Sequence, residues 1–426
     1  MSYIAMPIAP CDDGEMRWWC LALGLTACGF RGAELLQGDA PQNNGIDAPT
    51  QPGIDATAGI DAPLGIDAPL GIDAAVGIDA APAIDAATGV DAWIGPWLPG
   101  YLHRKPIAIT TGVPSTLLDF PVAITTVADP QLASGALPNG GDLVVTASDG
   151  TTVLASELVA YANGTLELWT RVPALAPSTS LYLYYGGPAT SPNPTLVWSS
   201  LFVGVWHLSD PGNGARDSTS HAHDLSTIAA NEPGHSGGIA GAARTFDGAK
   251  QTLGIPDPSD GSLQFTTNSF SYSIWVKEQS ASMQYDLAFW KGGTSAGEHG
   301  YCIMLGQNSW DAKVHDGTNF NDAVFGQEAA LTGRWVHLVA VVDHAANKLE
   351  PYTDGVLQVA GLDNLTGLGT LASTKPLALG GVAGSSFFHG SIDEVRIYNS
   401  VLSADWIRAE HGNLATPGFV VLGPEQ

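Results

Sequence analysis

Residues 388–407 read FHGSIDEVRIYNSVLSADWI. Ile392, Val395 and Ile397 are set against Asp393, Glu394 and Arg396, the pattern of a strand with one face turned to a core. A short helical turn is expected to start near Ser403. Working outward, RWVHLVAVVD at 334–343 is apolar nearly throughout, as a central strand buried on both faces would be. In NSFSYSIWVKE (268–278), Phe270, Tyr272, Ile274 and Val276 form one face opposite Trp275 and Lys277. GYCIMLGQNSWDAKVHDG (300–317) reads as a hairpin turning around Gly306–Ser309. Pro351 has no N–H to give a ladder, so its strand is expected at an edge or bulged there. The composition agrees: 51 glycines, 28 prolines, 45% hydrophobic and 14% charged residues suit turn-rich β structure.

With RTFDG (244–248) and YTDG (352–355), these stretches resemble the closing portion of laminin-G-like jelly rolls, of the concanavalin A-like lectin/glucanase superfamily. The resemblance implies two face-packed antiparallel sheets over residues 198–416. It also implies a recognition scaffold, with enzymes in the minority. Glycosidases of the superfamily carry a strand E-x-D-x-x-E, whose acids protonate the leaving oxygen and attack the sugar. Here Ser391 precedes Asp393 by two and residue 396 is Arg, so Asp393-Glu394 lacks its partners and catalytic residues are not expected. Asp247 and Asp393 match family positions that in some members lie near a structural calcium; the alternative is a turn support and a strand-end partner for Arg396. Trp310, beside Asn308 and Asp311, is the candidate sugar-stacking aromatic, although alternation with Ala312 and Val314 argues equally for the core. His221 and His223, with Asp224, are spaced like metal ligands but sit where the family has a polar loop. His337 is expected to be a satisfied sandwich histidine.

Residues 100–197 form a second all-β module, with turns at Asp149-Gly150 and Asn163-Gly164. Arg104 with its R-x2-I-x-I spacing, DFPV, LxxWxxVP and YLYYG are similar to a bacterial domain of uncharacterised function, common directly ahead of laminin-G-like modules in exported proteins. Arg104, Asp119, Asp142 and Glu157 could meet in a polar site there, or Arg104 could simply fix packing through a carboxylate. The expected fold is therefore all-β, two β-sandwich modules, with residues 417–426 as a tail.

Ahead of the modules, residues 29–99 carry Asp55, Asp61, Asp67, Asp73, Asp79, Asp85 and Asp91 in hexads of the GIDAPL kind, with no Lys or Arg from 40 to 99. Like charges at that interval, with recurrent Pro and Gly, make a disordered solvated tether of roughly 45 Å reach as a flexible coil. A hexapeptide β-helix is the alternative, but seven hexads give about two coils. Residues 16–28, MRWWCLALGLTAC, resemble a lipoprotein signal whose lipobox ends at Cys28, the expected lipidation site. Asp12, Asp13 and Glu15 depart from a positive n-region, so translation could start at Met16. Residues 1–28 are thus read as a signal peptide, and Gly29 favours outer-membrane sorting. The apolar run is too short to span a bilayer, so the membrane would be met through the lipid alone.

The net charge of −26, from 42 acids against 16 bases, opposes nucleic-acid binding. Cys302, in the apolar run YCIML, is read as a buried small hydrophobe. Together these readings describe an exported, surface-held binding protein whose partner is a glycan or a surface protein, with calcium as a candidate structural cofactor. A structural envelope component without a soluble ligand is the alternative, and a glycoside hydrolase the third reading.

Overall fold

Val336, Leu338, Ala340 and Val342 fill one face of the strand Val336–Asp343, and His337, Val339 and Val341 the other; all are buried. Such a strand must lie between two layers. The computed structural model describes residues 95–190, 193–228, 231–281, 285–382 and 385–426. Cys28, the signal and nearly all of the hexad tether lie outside them.

The first module contains β1 (His103–Thr110), β2 (Leu117–Thr126), α1 (Pro130–Gly135), β3 (Val144–Thr146), β4 (Ser156–Ala162), β5 (Thr165–Leu175) and β6 (Ser178–Tyr185). β4 and β5 turn back through Asn163-Gly164, both at positive φ (48° and 76°), the two-residue hairpin that the sequence announces. The second module begins with β7 (Phe202–Trp206), β8 (Ser226–Thr227), β9 (Gly234–Gly237), β10 (Ala242–Asp247), β11 (Leu253–Ile255) and β12 (Phe270–Glu278). It continues with β13 (Leu287–Trp290), β14 (His299–Leu305), β15 (Ser309–Asp316), β16 (Phe320–Gln327), α2 (Glu328–Leu331), β17 (Val336–Asp343) and β18 (Lys348–Thr353). β19 (Val356–Leu357), β20 (Asp363–Asn364), β21 (Leu377–Leu379), β22 (His389–Tyr398), α3 (Ala404–Ala415) and β23 (Val420–Leu422) complete the chain.

Among the described residues, the second module has a nine-stranded sheet, β19-β18-β17-β12-β22-β10-β9 with β20 and β7 attached, and a seven-stranded sheet, β16-β15-β14-β13-β21-β11-β8. Their facing side chains make one core, with Tyr272, Ile274, Leu338, Ile392 and Val395 from one sheet meeting Tyr301, Ile303, Trp310, Ala312 and Leu379 from the other. The all-β class and the sandwich of two face-packed antiparallel sheets are as expected. Pro351 pairs with Ala340 on β17, and on its other side falls between the segments paired with β19 and β20. The ladder is already interrupted there, so the missing N–H costs little.

β22 is not a simple alternation. Ser273 of β12 pairs with Arg396 and Trp275 with Asp393, so two residues of β22 lie opposite Ile274. This bulge, with Glu394 at φ 45°, explains why the inward residues are Ile392, Val395 and Ile397 and not an even series. It turns Glu394 to the outer side, where the first module lies.

That outer side is covered. One apolar cluster joins Ile107, Phe120, Trp169 and Leu183 of the first module to Phe202, Val205, Val339, Val341 and Tyr398 of the second, with Trp406 and Ile407 of α3. Residues 417–426, expected as a tail, carry β23, which pairs with β1 through Ile107–Leu422 and Ile109–Val420. The first module therefore completes a β23-β1-β6-β3 sheet with the end of the chain, opposite β2-β5-β4.

Candidate ligand-binding site

On the seven-stranded sheet, Tyr301, Ile303 and Leu305 point into the core, so Cys302 and Met304 must point out. Cross-strand pairing extends that outer row from Ala378 through Trp290 and Cys302 to Lys313 and Asp322. Leu287, Trp290, Cys302, Met304 and Ala378 form an apolar floor on the face away from the core. Above it lies a cavity of about 740 Å³, the size of a small-ligand site.

The rim is polar. Lys375 Nζ meets Glu298 Oε1 at 3.0 Å, and Lys313 Nζ meets Asp322 Oδ2 at 2.6 Å. Against partial burial, hydrogen bonds from Lys375 and Thr294 hold the Glu298 carboxyl below its usual range. Tyr285 stands at the mouth, 54% exposed. Trp290 is 7% exposed, yet its Nε1 has no hydrogen-bond partner among the described residues. A buried indole N–H usually has one; this nitrogen is itself closed off from solvent, so what Trp290 offers the cavity is apolar surface. Behind the rim, buried Lys291 donates to Asp257 Oδ1 (2.9 Å) and to the carbonyls of Ser373 (2.5 Å) and Lys375 (2.7 Å). This clamp fixes the backbone that carries Lys375.

The residues singled out from sequence lie elsewhere. Trp310 is 1% exposed and meets Phe388 edge-on inside the sandwich, so it is a core residue and not a ligand contact; of the two readings of its alternation, packing is the one realised. Asp247 and Asp393 do not share an ion. Asp247 is exposed and accepts from Ala249 N (2.9 Å) and Lys250 N (3.2 Å), supporting a turn. It pairs across from His389, four residues along β22 from Asp393, or roughly 13 Å at strand rise. Asp393 is fully buried, its carboxylate accepting from Ile239 N (2.8 Å), Ala240 N (3.2 Å) and Glu394 N (3.0 Å). Both oxygens of Asp393 are thus engaged by backbone N–H groups.

Nor do the four polar residues of the first module meet. Arg104 lies over Trp97 and Tyr182 and donates to Tyr184 Oη (2.8 Å) and Gln426 Oε1 (2.8 Å). Asp142 accepts from Leu137 N and Gly186 N, and Asp119 lies 3.7 Å from Arg171 Nε. Glu157 instead enters a buried network between the modules. There His207 Nδ1 meets Glu394 Oε1 at 2.7 Å, Glu157 Oε2 lies 3.4 Å from His207 Nε2, and Arg396 Nη2 meets Glu394 Oε2 at 2.6 Å. Burial works against the charge on His207, but Glu394 and Glu157 hold its pKa well above the ordinary value. Burial, with Glu394 beside it, pushes Asp393 well above the carboxylate range. The acid pair of β22 is thus sealed inside the molecule. His337, also buried, stacks on Trp275 at 4.8 Å, but neither ring nitrogen has a hydrogen-bond partner among the described residues.

Residues 247–408 match the family model of the concanavalin A-like lectin/glucanases superfamily. The match runs from the end of β10 into α3. Comparison with solved structures gave the binding domain of Paraclostridial Mosquitocidal Protein 1 at 12% identity and TM-score 0.42, over 50% of this chain and 52% of that one. The botulinum neurotoxin serotype D binding domain follows at 11% identity and TM-score 0.41, over 51% and 52%. The serotype G binding domain aligns at 9% identity and TM-score 0.41, over 49% and 50%. The chain spans about half the length of each. Comparison with curated proteins gave no match.

Proposed function

We propose that the second module is a glycan-recognition domain whose ligand seats in the cavity on the outer face of the seven-stranded sheet. The observation that carries this reading is the apolar floor of Trp290 and Met304 rimmed by the polar side chains of Tyr285, Glu298 and Lys375. A sugar offers both an apolar ring face and hydroxyls that accept and donate, which such a surface complements. Binding is favoured over hydrolysis because Glu298 is the one carboxylate among the described residues lining the cavity, and it is ion-paired. A glycosidase needs two acids flanking the bond.

A glycan array with the protein, followed by titration of the best binder, tests the reading. Saturable binding weakened about tenfold or more by Tyr285→Ala is expected. Silence across the array would favour the structural envelope component, and turnover of a polysaccharide the hydrolase. In this proposal residues 29–99 tether the head to a lipid on Cys28 at an outer-membrane or cell surface. Fatty-acid labelling of the wild type, lost in Cys28→Ser, is the outcome it requires.

A further inference from the structure

His221 and His223 lie in the loop between β7 and β8, and Asp260 in the loop between β11 and β12. In an extended chain, residues two apart share a face but their rings stand roughly 7 Å apart. Ala222 between them is left-handed, at φ 54°, and the two rings stack with centroids 5.2 Å apart. His221 Nδ1 lies 3.1 Å and His223 Nε2 3.2 Å from the same oxygen, Asp260 Oδ2. The other oxygen of Asp260 is held by Ser262 N (3.0 Å) and Ser262 Oγ (2.7 Å), which aims Oδ2 at the imidazoles.

The two N···O separations at Asp260 Oδ2, 3.1 and 3.2 Å, match edges of a metal tetrahedron, and all three donor atoms lie within 4.8 Å of one another. Bonds of about 2.0–2.1 Å to N and O place neighbouring ligands roughly 3.3 Å apart.

His223 supplies the second observation. It is 3% exposed, and its Nδ1 has no hydrogen-bond partner among the described residues while facing Asp217 Oδ2 at 3.9 Å. Asp217 is itself fixed by Val205 N, Thr219 N and His223 N. The ring therefore stands between two carboxylates, one at each nitrogen. A neutral imidazole has a single N–H and satisfies one of them; Ser262 Oγ also lies 3.1 Å from Nε2, but its one hydrogen is directed to Asp260 Oδ1, so an Nε2 lone pair still faces a carboxylate. A cation at Nε2 removes the conflict: Nδ1 keeps its proton toward Asp217, the arrangement in which an outer carboxylate orients a metal-binding histidine.

We propose that His221, His223 and Asp260 form a site for a divalent transition-metal ion of the zinc class, with a fourth position open to solvent. Two imidazoles and one carboxylate suit zinc over calcium, which takes oxygen donors. The ion would tie the β7–β8 loop to the β11–β12 loop at one end of the sandwich. Glu167, His207 and Glu394 also converge, but Arg396 already provides a cation there, so that group carries no such site.

Equilibrium dialysis of the metal-stripped full chain against Zn²⁺ tests the proposal. Saturable uptake of one ion is expected, weakened at least about tenfold by His221→Ala and by Asp260→Asn. His221 is exposed, so its removal leaves the fold intact, and circular dichroism of each variant checks this. Tetrahedral Co²⁺ absorption, lost in His221→Ala, is the second expected signature. No saturable uptake by the wild type, or equal uptake by both folded variants, would overturn the site.

Discussion

Glu167 shows how a single residue reports on the junction between the modules. Its carboxyl is 2% exposed, accepts from Trp169 Nε1 at 3.3 Å and lies 4.0 Å from His207 Nδ1. Burial pushes its pKa up to about 7, with His207 opposing and Glu394 adding to the rise. A raised carboxyl pKa contributes stability that is complete below the unfolded value near 4.5 and is lost as pH climbs through 7. Glu167→Gln keeps the shape of the neutral acid and does not ionise. Its unfolding free energy relative to the wild type should rise between pH 5 and pH 8, by up to roughly 3 kcal/mol. Urea unfolding of both proteins at the two pH values measures this, and a difference that falls with pH contradicts it. Neighbouring Glu394 and Glu157 go the other way: each is buried, but His207 holds both below the usual range, with Arg396 also acting on Glu394. Glu167, which is buried with His207 already engaged by those two carboxylates, is the acid that burial drives toward its neutral form.

Among elements, the last helix and strand do work that their sequence does not advertise. α3 opens with Ser403 capping Trp406 N, as the reading of residues 388–407 expects. Its Asn413 then reaches into the first module, accepting from Ala123 N (3.1 Å) and donating to Pro121 O (3.1 Å). Phe419, 2% exposed, anchors the return of the chain to β1, with Gly412 of α3 directly against its ring. Phe419→Ala should lower the unfolding free energy by about 3–5 kcal/mol in chemical denaturation. A loss below about 1 kcal/mol would show that the returning strand lies outside the cooperative core.

For the whole molecule, the outer face of the nine-stranded sheet decides the behaviour. Phe202, Val339, Val341 and Tyr398 are shared with the first module, and the buried charges of His207 and Arg396 find carboxylates on both sides of the junction. Separating the modules would leave those charges without part of their compensation, a cost of several kcal/mol per ion. Residues 95–426 should therefore unfold in one calorimetric transition. Two well-separated transitions would mean that each module carries its own stability.

The β class, the strand positions, the Asn163-Gly164 turn and the burial of Cys302 follow from the sequence alone, because alternation and turn chemistry are local properties of the chain. The outer apolar face was also legible, in Cys302 and Met304 alternating against Tyr301, Ile303 and Leu305, but one strand does not say what covers it. Trp290 and Glu298 come from the preceding strand and its connection, but Lys375 had to be brought beside them from far along the chain. Asp260 reached His221 and His223 in the same way, across two loops. Sequence left Trp310 open between ligand contact and core, and Asp393 between a metal site and structural support, because a side chain's polarity or size does not state which of two faces it occupies. That is fixed by register and by a bulge at Glu394, and both depend on partners that fold back from elsewhere in the chain.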